Sequence, residues 1–201
     1  MRKAVRLMWG LTSGEWIVGA LLVLVVLLWV CTAPRALGFK APPQITREIE
    51  IVIDIDAPPA RVWDAIVDWE SQSAWMALTQ VWVEPGSSRA GVGARIEAFT
   101  GLRARKASSS GLPLIGFLDT MTVTRWEAPT RCDVLHTGKV VKGTGTFIVE
   151  PRAGGMARFR WSEVVEVPGG YLGAALWPIA RVGLHGSVKF SLKALARSLQ
   201  S

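Results

Sequence analysis

A chain of 201 residues has room for one domain and an appendage. Half of its residues are hydrophobic and ten are tryptophan, enough for a sizeable core. The balance of 23 Lys and Arg against 16 Asp and Glu gives a net charge of +7, but these cations are spread along an apolar-rich chain, which argues against a nucleic-acid partner.

The first segment, residues 1–15, is a basic tail with Arg2, Lys3 and Arg6 against one acid, Glu15. Residues 16–34 then carry no charge at all. A helix needs about 20 apolar residues to cross the hydrocarbon core of a bilayer, and this run meets that length. Trp16 and Trp29 stand near its ends, where interfacial aromatics belong. A cleaved signal peptide is the competing reading, but Cys31-Thr32-Ala33 makes a poor cleavage site. The expectation is a retained single-pass anchor in the cell membrane. Cationic residues flank it almost equally, so the positive-inside count is nearly tied. The short basic tail favours an inner N-terminus and an extracytoplasmic domain. Residues 35–46, with Pro42 and Pro43, read as a stiff linker. Cys31 lies inside the apolar run and Cys132 far from it, so no intrachain disulfide is expected.

The domain, residues 47–201, opens on its most informative stretch. Ile49, Ile51, Ile53 and Ile55 alternate with Glu48, Glu50, Asp54 and Asp56, as in a strand with one buried and one wet face. At Ala57-Pro58-Pro59 the period changes, and proline suits the first turn of a helix. Val62, Ile66 and Trp69 recur at helical spacing, flanked by Trp63 and Val67. Residues 70–76 read as a second short helical piece.

This strand, Pro-Pro corner and Val-Trp helix resemble the opening of the START-like superfamily. Within it the chain is most similar to the SRPBCC group labelled polyketide cyclase/dehydrase-like, over about residue 45 to the end. The resemblance implies an α+β helix-grip fold, in which a curved antiparallel sheet wraps a long C-terminal helix and leaves an apolar cavity between them.

Further along, short β segments fall at residues 80–84, 93–99, 119–127, 132–141, 143–150 and 157–167, separated by turn signals. No strand–helix alternation accompanies them, so a parallel doubly wound sheet is not expected. The tail from residue 171 is helical, with a kink or restart at Pro178. Beyond it Leu184, Val188, Leu192, Leu195 and Leu199 form an apolar stripe beside a ridge of Arg181, His185, Lys189, Lys193 and Arg197. A solvated face explains that ridge, and anionic lipid is the sharper alternative.

Catalytic signatures are scarce. Two histidines and two distant cysteines give no metal cluster, and no cofactor is implied. Gly143-Thr144-Gly145 lacks the context of a dinucleotide loop and reads as a bulge or bend. Glu163 shares a face with Phe159, Trp161, Val165 and Val167, where an ionised carboxylate is costly unless paired. It is either a cavity residue or a sheet-end glutamate paired with an arginine. His136 shares a face with Val134, and is either a satisfied core histidine or a site residue. Trp75, Met121, Phe159, Trp161 and Trp177 join these two as candidate ligand-lining residues, with simple core filling as the alternative for the aromatic set.

Residues 101–117 are too long for a hairpin turn and hold a basic half, Arg103, Arg105 and Lys106, ahead of an apolar run. The family resemblance implies a loop near the cavity mouth, and Leu112, Leu114, Ile115 and Phe117 are either lid residues or a plug for the domain's own core. The functional expectation is membrane-anchored binding or transfer of a hydrophobic small molecule such as a lipid, isoprenoid or polyketide-like compound. Its partners would be that ligand and the bilayer. A polyketide aromatase/cyclase or dehydratase with Glu163 and His136 as acid–base groups is the alternative, and a tethered protein-interaction module is a third. The oligomeric state is not legible.

Overall fold

A computed structural model describes residues 45–102, 115–167 and 170–200. The expected anchor at 16–34, with its tail and nearly all of its linker, lies outside the described residues. Among the described residues, no helix is long and apolar enough to cross a membrane.

The described chain forms one antiparallel sheet of seven strands in the order β1-β7-β6-β5-β4-β3-β2. The strands are β1 (Ile45–Ile55), β2 (Thr79–Val83), β3 (Arg95–Leu102), β4 (Ile115–Glu127), β5 (Arg131–His136), β6 (Gly143–Pro151) and β7 (Ala157–Val167). Two helices accompany them, α1 (Pro59–Val67) and α2 (Gly170–Leu199), with a 3-10 turn at Ser71–Ala74. All neighbours from β2 round to β6 are sequential hairpin partners, and β7 returns to lie between β6 and β1. This is the helix-grip architecture that the resemblance implied.

The alternation in β1 sends Ile49, Ile51 and Ile55 into the core, while Glu50 and Asp54 face outward to Arg160 and Arg158 on β7. Those exposed ion pairs align the strands but add little stability. The Pro-Pro corner then starts α1, which buries Val62, Trp63 and Ile66. Its end is closed by Gln72, whose buried Nε2 donates to the Ile66 carbonyl at 2.7 Å, satisfying an acceptor that the helix leaves open. Helix α2 lays Leu192, Leu195 and Leu199 into the same core as Phe159, Val149 and Ile55. Full burial of a leucine side chain contributes about 1.5–3 kcal/mol. Ser191 fastens the helix sideways by accepting from the Ala77 amide at 3.0 Å and donating to the Ser187 carbonyl.

Three expectations need correction. Helix α2 is continuous through Pro178 and does not restart there, because packing of its inner face outweighs the missing hydrogen bond. Strand β4 begins at Ile115, so Ile115 and Phe117 are strand residues opposite Leu102 and Thr100 rather than lid residues, while Leu112 and Leu114 lie outside the described residues. Gly143–Gly145 keep regular register with both neighbouring strands and form no bulge. The register shift occurs instead in β4, between Val123 and Arg125. Val123 and Trp126 consequently both reach the core, and Trp126 meets Trp63 edge-on at 5.2 Å.

Candidate functional site

Antiparallel register gathers one end of the sheet. The starts of β1, β2, β4 and β6 lie there with the ends of β3, β5 and β7, since Ile45 pairs with Val167, Gly143 with Val165, and Leu102 with Ile115. At this end, on the core-facing side, Asp119 of β4, His136 of β5 and Glu163 of β7 meet.

His136 and Glu163 sit on strands separated by β6, roughly 9–10 Å apart at two inter-strand spacings. Contact is possible because the intervening position is Gly145, in register with both Val134 and Glu163. A Cβ on Gly145 would lie 2.8 Å from Glu163 Oε1 and 2.9 Å from a Val134 methyl. The glycine therefore leaves a lane through which the glutamate leans across the sheet. Its Oε2 meets His136 Nε2 at 2.9 Å, and its Oε1 accepts from Trp161 Nε1 at 2.6 Å. On the other side of the ring, His136 Nδ1 meets Asp119 Oδ2 at 2.8 Å.

Two carboxylates facing both ring nitrogens require both to donate, which is the imidazolium. Burial is the largest single influence on His136 and pulls its pKa down. The hydrogen bonds and charges of Asp119 and Glu163 together outweigh it and push His136 up to about 10. At neutral pH the cluster is a buried cation between two acids, and the histidine offers no lone pair to a metal or to a proton. Among the described residues, no group of three His, Cys, Asp or Glu is arranged to hold a metal ion. Cys132 is buried and its thiol is pushed up to about 12, so it is unreactive.

Around the cluster the sheet is apolar. Met121 is in register with His136, and Phe147 packs edge-on against both Trp161 and Phe159, at 5.0 and 5.6 Å. Of the candidates named from sequence, the structure brings Glu163, His136 and Trp161 into direct contact, with Met121 alongside. Phe159 joins through Phe147, and Trp75 and Trp177 are buried in the same core. Among the described residues Glu163 pairs with no arginine; histidine and tryptophan take that place. Among the described residues, the buried polar atoms Asp119 Oδ1 and Trp75 Nε1 have no protein partner. Hollows of about 330 Å³ open elsewhere, one beside Met76, Leu78 and Phe99 and one beside Asp54 and Met156. None of the seven candidate residues lines either.

Sequence reasoning missed Asp119 and Gly145. Asp119 carried a usable signal, because it alternates in phase with Met121 and Val123. Gly145 carried none, since its purpose depends on which strands flank β6.

A sheet of this order wrapped on one long helix, with an apolar inner side, defines the helix-grip class of hydrophobic-ligand-binding folds. Residues 46–200 match the family described as polyketide cyclase / dehydrase and lipid transport, and the chain belongs to that family. No curated protein matches the sequence. Among solved structures, a Thermus thermophilus protein is 18% identical with a TM-score of 0.58, over 77% of this chain and 97% of its own. A Chromobacterium violaceum protein is 18% identical with a TM-score of 0.54, over 79% and 99%. The Zhui aromatase/cyclase from Streptomyces sp. R1128 is 14% identical with a TM-score of 0.52, over 77% and 92%. At such identities the likeness is one of fold.

Proposed function

We propose that this protein is a membrane-anchored carrier or receptor for a hydrophobic small molecule, a lipid, isoprenoid or polyketide-like compound, and that it performs no chemistry on it. One observation carries the preference for binding over catalysis. The imidazole at the centre of the buried cluster is fully engaged: His136 spends both nitrogens on carboxylates and stays cationic at neutral pH. An aromatase/cyclase or dehydratase would need a group free to take a proton from substrate near neutral pH, and this imidazolium is not one. The apolar surroundings of Met121, Phe147, Phe159 and Trp161 support an apolar ligand.

Anchoring rests on the uncharged run at 16–34 and its flanking tryptophans. The short tail places the domain outside the cytoplasm in this reading.

Photo-crosslinking tests the proposal. The full chain, in vesicles containing a diazirine-bearing phospholipid, is irradiated and its peptides mapped. The expected adducts include β7 peptides around Phe159–Glu163 as well as peptides from 16–34. Adducts confined to 16–34 would leave an anchored protein with no ligand site and overturn the carrier reading.

A further inference from the structure

Helix α2 carries a second face that the core does not use. Its 30 residues contain no Asp or Glu, yet they include Arg181, Lys189, Lys193 and Arg197. The inner face is accounted for by Trp177, Ala180, Ser191, Leu192, Leu195 and Leu199, all buried. On the opposite side stand Tyr171 at 77% exposure, Ile179 at 66%, Val182 at 50% and Phe190 at 59%. At 100° per residue these four fall within an arc of roughly 100°, and Lys189, Lys193 and Arg197 share it. The outer face is thus apolar from Tyr171 to Val182 and basic from Lys189 to Arg197, with Phe190 among the cations.

Six of the eleven Lys and Arg among the described residues outside α2 are neutralised by an ion pair, whereas none of the four in α2 is. The six are Arg89, Arg95, Arg125, Arg131, Arg158 and Arg160. Large apolar side chains held in water beside unneutralised cations are the composition of an interfacial helix, which sets its apolar groups at the headgroup–acyl boundary and its cations against anionic headgroups.

Position agrees with composition. Helix α2 starts three residues after Val167, which pairs with Ile45 at the point where the preceding 44 residues enter the sheet. Only ten residues separate position 34 from Ile45, a reach of at most about 35 Å when fully extended.

We propose that the outer face of α2 docks flat on an anionic phospholipid surface, with Ile179, Val182 and Phe190 at the acyl boundary and Lys189, Lys193 and Arg197 on the headgroups. The orientation rests on the anchored reading of residues 16–34; the docking face itself is read from α2. A second copy is a poorer occupant, because this face carries no Asp or Glu with which to neutralise the cations of another.

The test uses the full chain with Cys31→Ser, since the remaining Cys132 is buried and unreactive. Val182→Cys, or Thr124→Cys on the exposed outer side of the sheet as a control, is labelled by a membrane-impermeant maleimide. The protein is held in nanodiscs of phosphatidylcholine, or of phosphatidylcholine with phosphatidylglycerol. Labelling at position 182 should slow at least about ten-fold with phosphatidylglycerol, given the favourable attraction of each cation to an anionic surface, while position 124 stays unchanged. Lys189→Glu with Lys193→Glu should restore the fast rate. Equal rates at 182 in both discs would overturn the proposal. So would slow labelling in detergent that speeds up on dilution, which would mean that a second copy covers the face. Co-elution of wild-type chain with discs after a high-salt wash reads the anchor separately. Its loss would overturn the anchored reading, while labelling in the presence of anionic vesicles would still report on α2.

Discussion

His136 is the residue on which the interior turns. Its two carboxylate partners come from strands far apart in sequence, so removing it strands two acids away from water. His136→Ala should cost about 3–5 kcal/mol in urea unfolding followed by tryptophan fluorescence. The pH dependence has a definite sign. A folded-state pKa raised from 6.5 to about 10 adds stability that is complete below pH 6.5 and drains away as pH rises toward 10. Wild-type stability should therefore fall across that window, and His136→Gln should flatten that part of the curve. A wild-type profile flat over the same range would mean the imidazolium is not held. The halves of this cluster differed in how far they could be read from sequence. Glu163 and His136 declared themselves by standing on apolar faces of alternating strands, and Asp119 obeyed the same rule at a strand end. Their meeting was not legible, because it depends on β6 lying between β5 and β7 and on Gly145 clearing the way.

Elements whose pattern is local matched their sequence best. The β1 alternation, the Pro-Pro corner, α1 and the bounds of β7 all follow from periodicity within a dozen residues. The misses are places where tertiary packing overrides a local rule. The register shift in β4 answers to Trp63, which is sixty residues away and needs Trp126 on its own side. Pro178 reads as a kink or restart, yet α2 continues through it with Trp177 and Ala180 buried beside it. That helix still lacks one backbone donor and bears the ring's steric conflict, at about 3 kcal/mol relative to alanine in a free helix. Pro178 is itself exposed, so Pro178→Ala should raise stability by about 1–3 kcal/mol, measured as an increased urea midpoint at unchanged slope. A lower midpoint would mean that the proline sets a bend on which the packing of α2 depends.

At the scale of the molecule, one end of the sheet collects the entry of the chain at Ile45, the start of α2 and the Asp119–His136–Glu163 cluster. The fold was legible because its opening signature is distinctive. The ligand was not, because an apolar inner surface recognises shape and solubility more than a particular functional group. The central claim is that this inner surface exists to hold an apolar molecule, and native mass spectrometry of the full chain, purified in mild detergent and released from it in the gas phase, tests it most directly. The account predicts a second species, heavier than the bare chain by the mass of one small molecule that organic solvent extracts. That species should be reduced in Trp161→Ala, which removes a ring beside the cluster while leaving residues 16–34 untouched. Bare chain alone, or adducts of equal abundance in both proteins, would contradict it.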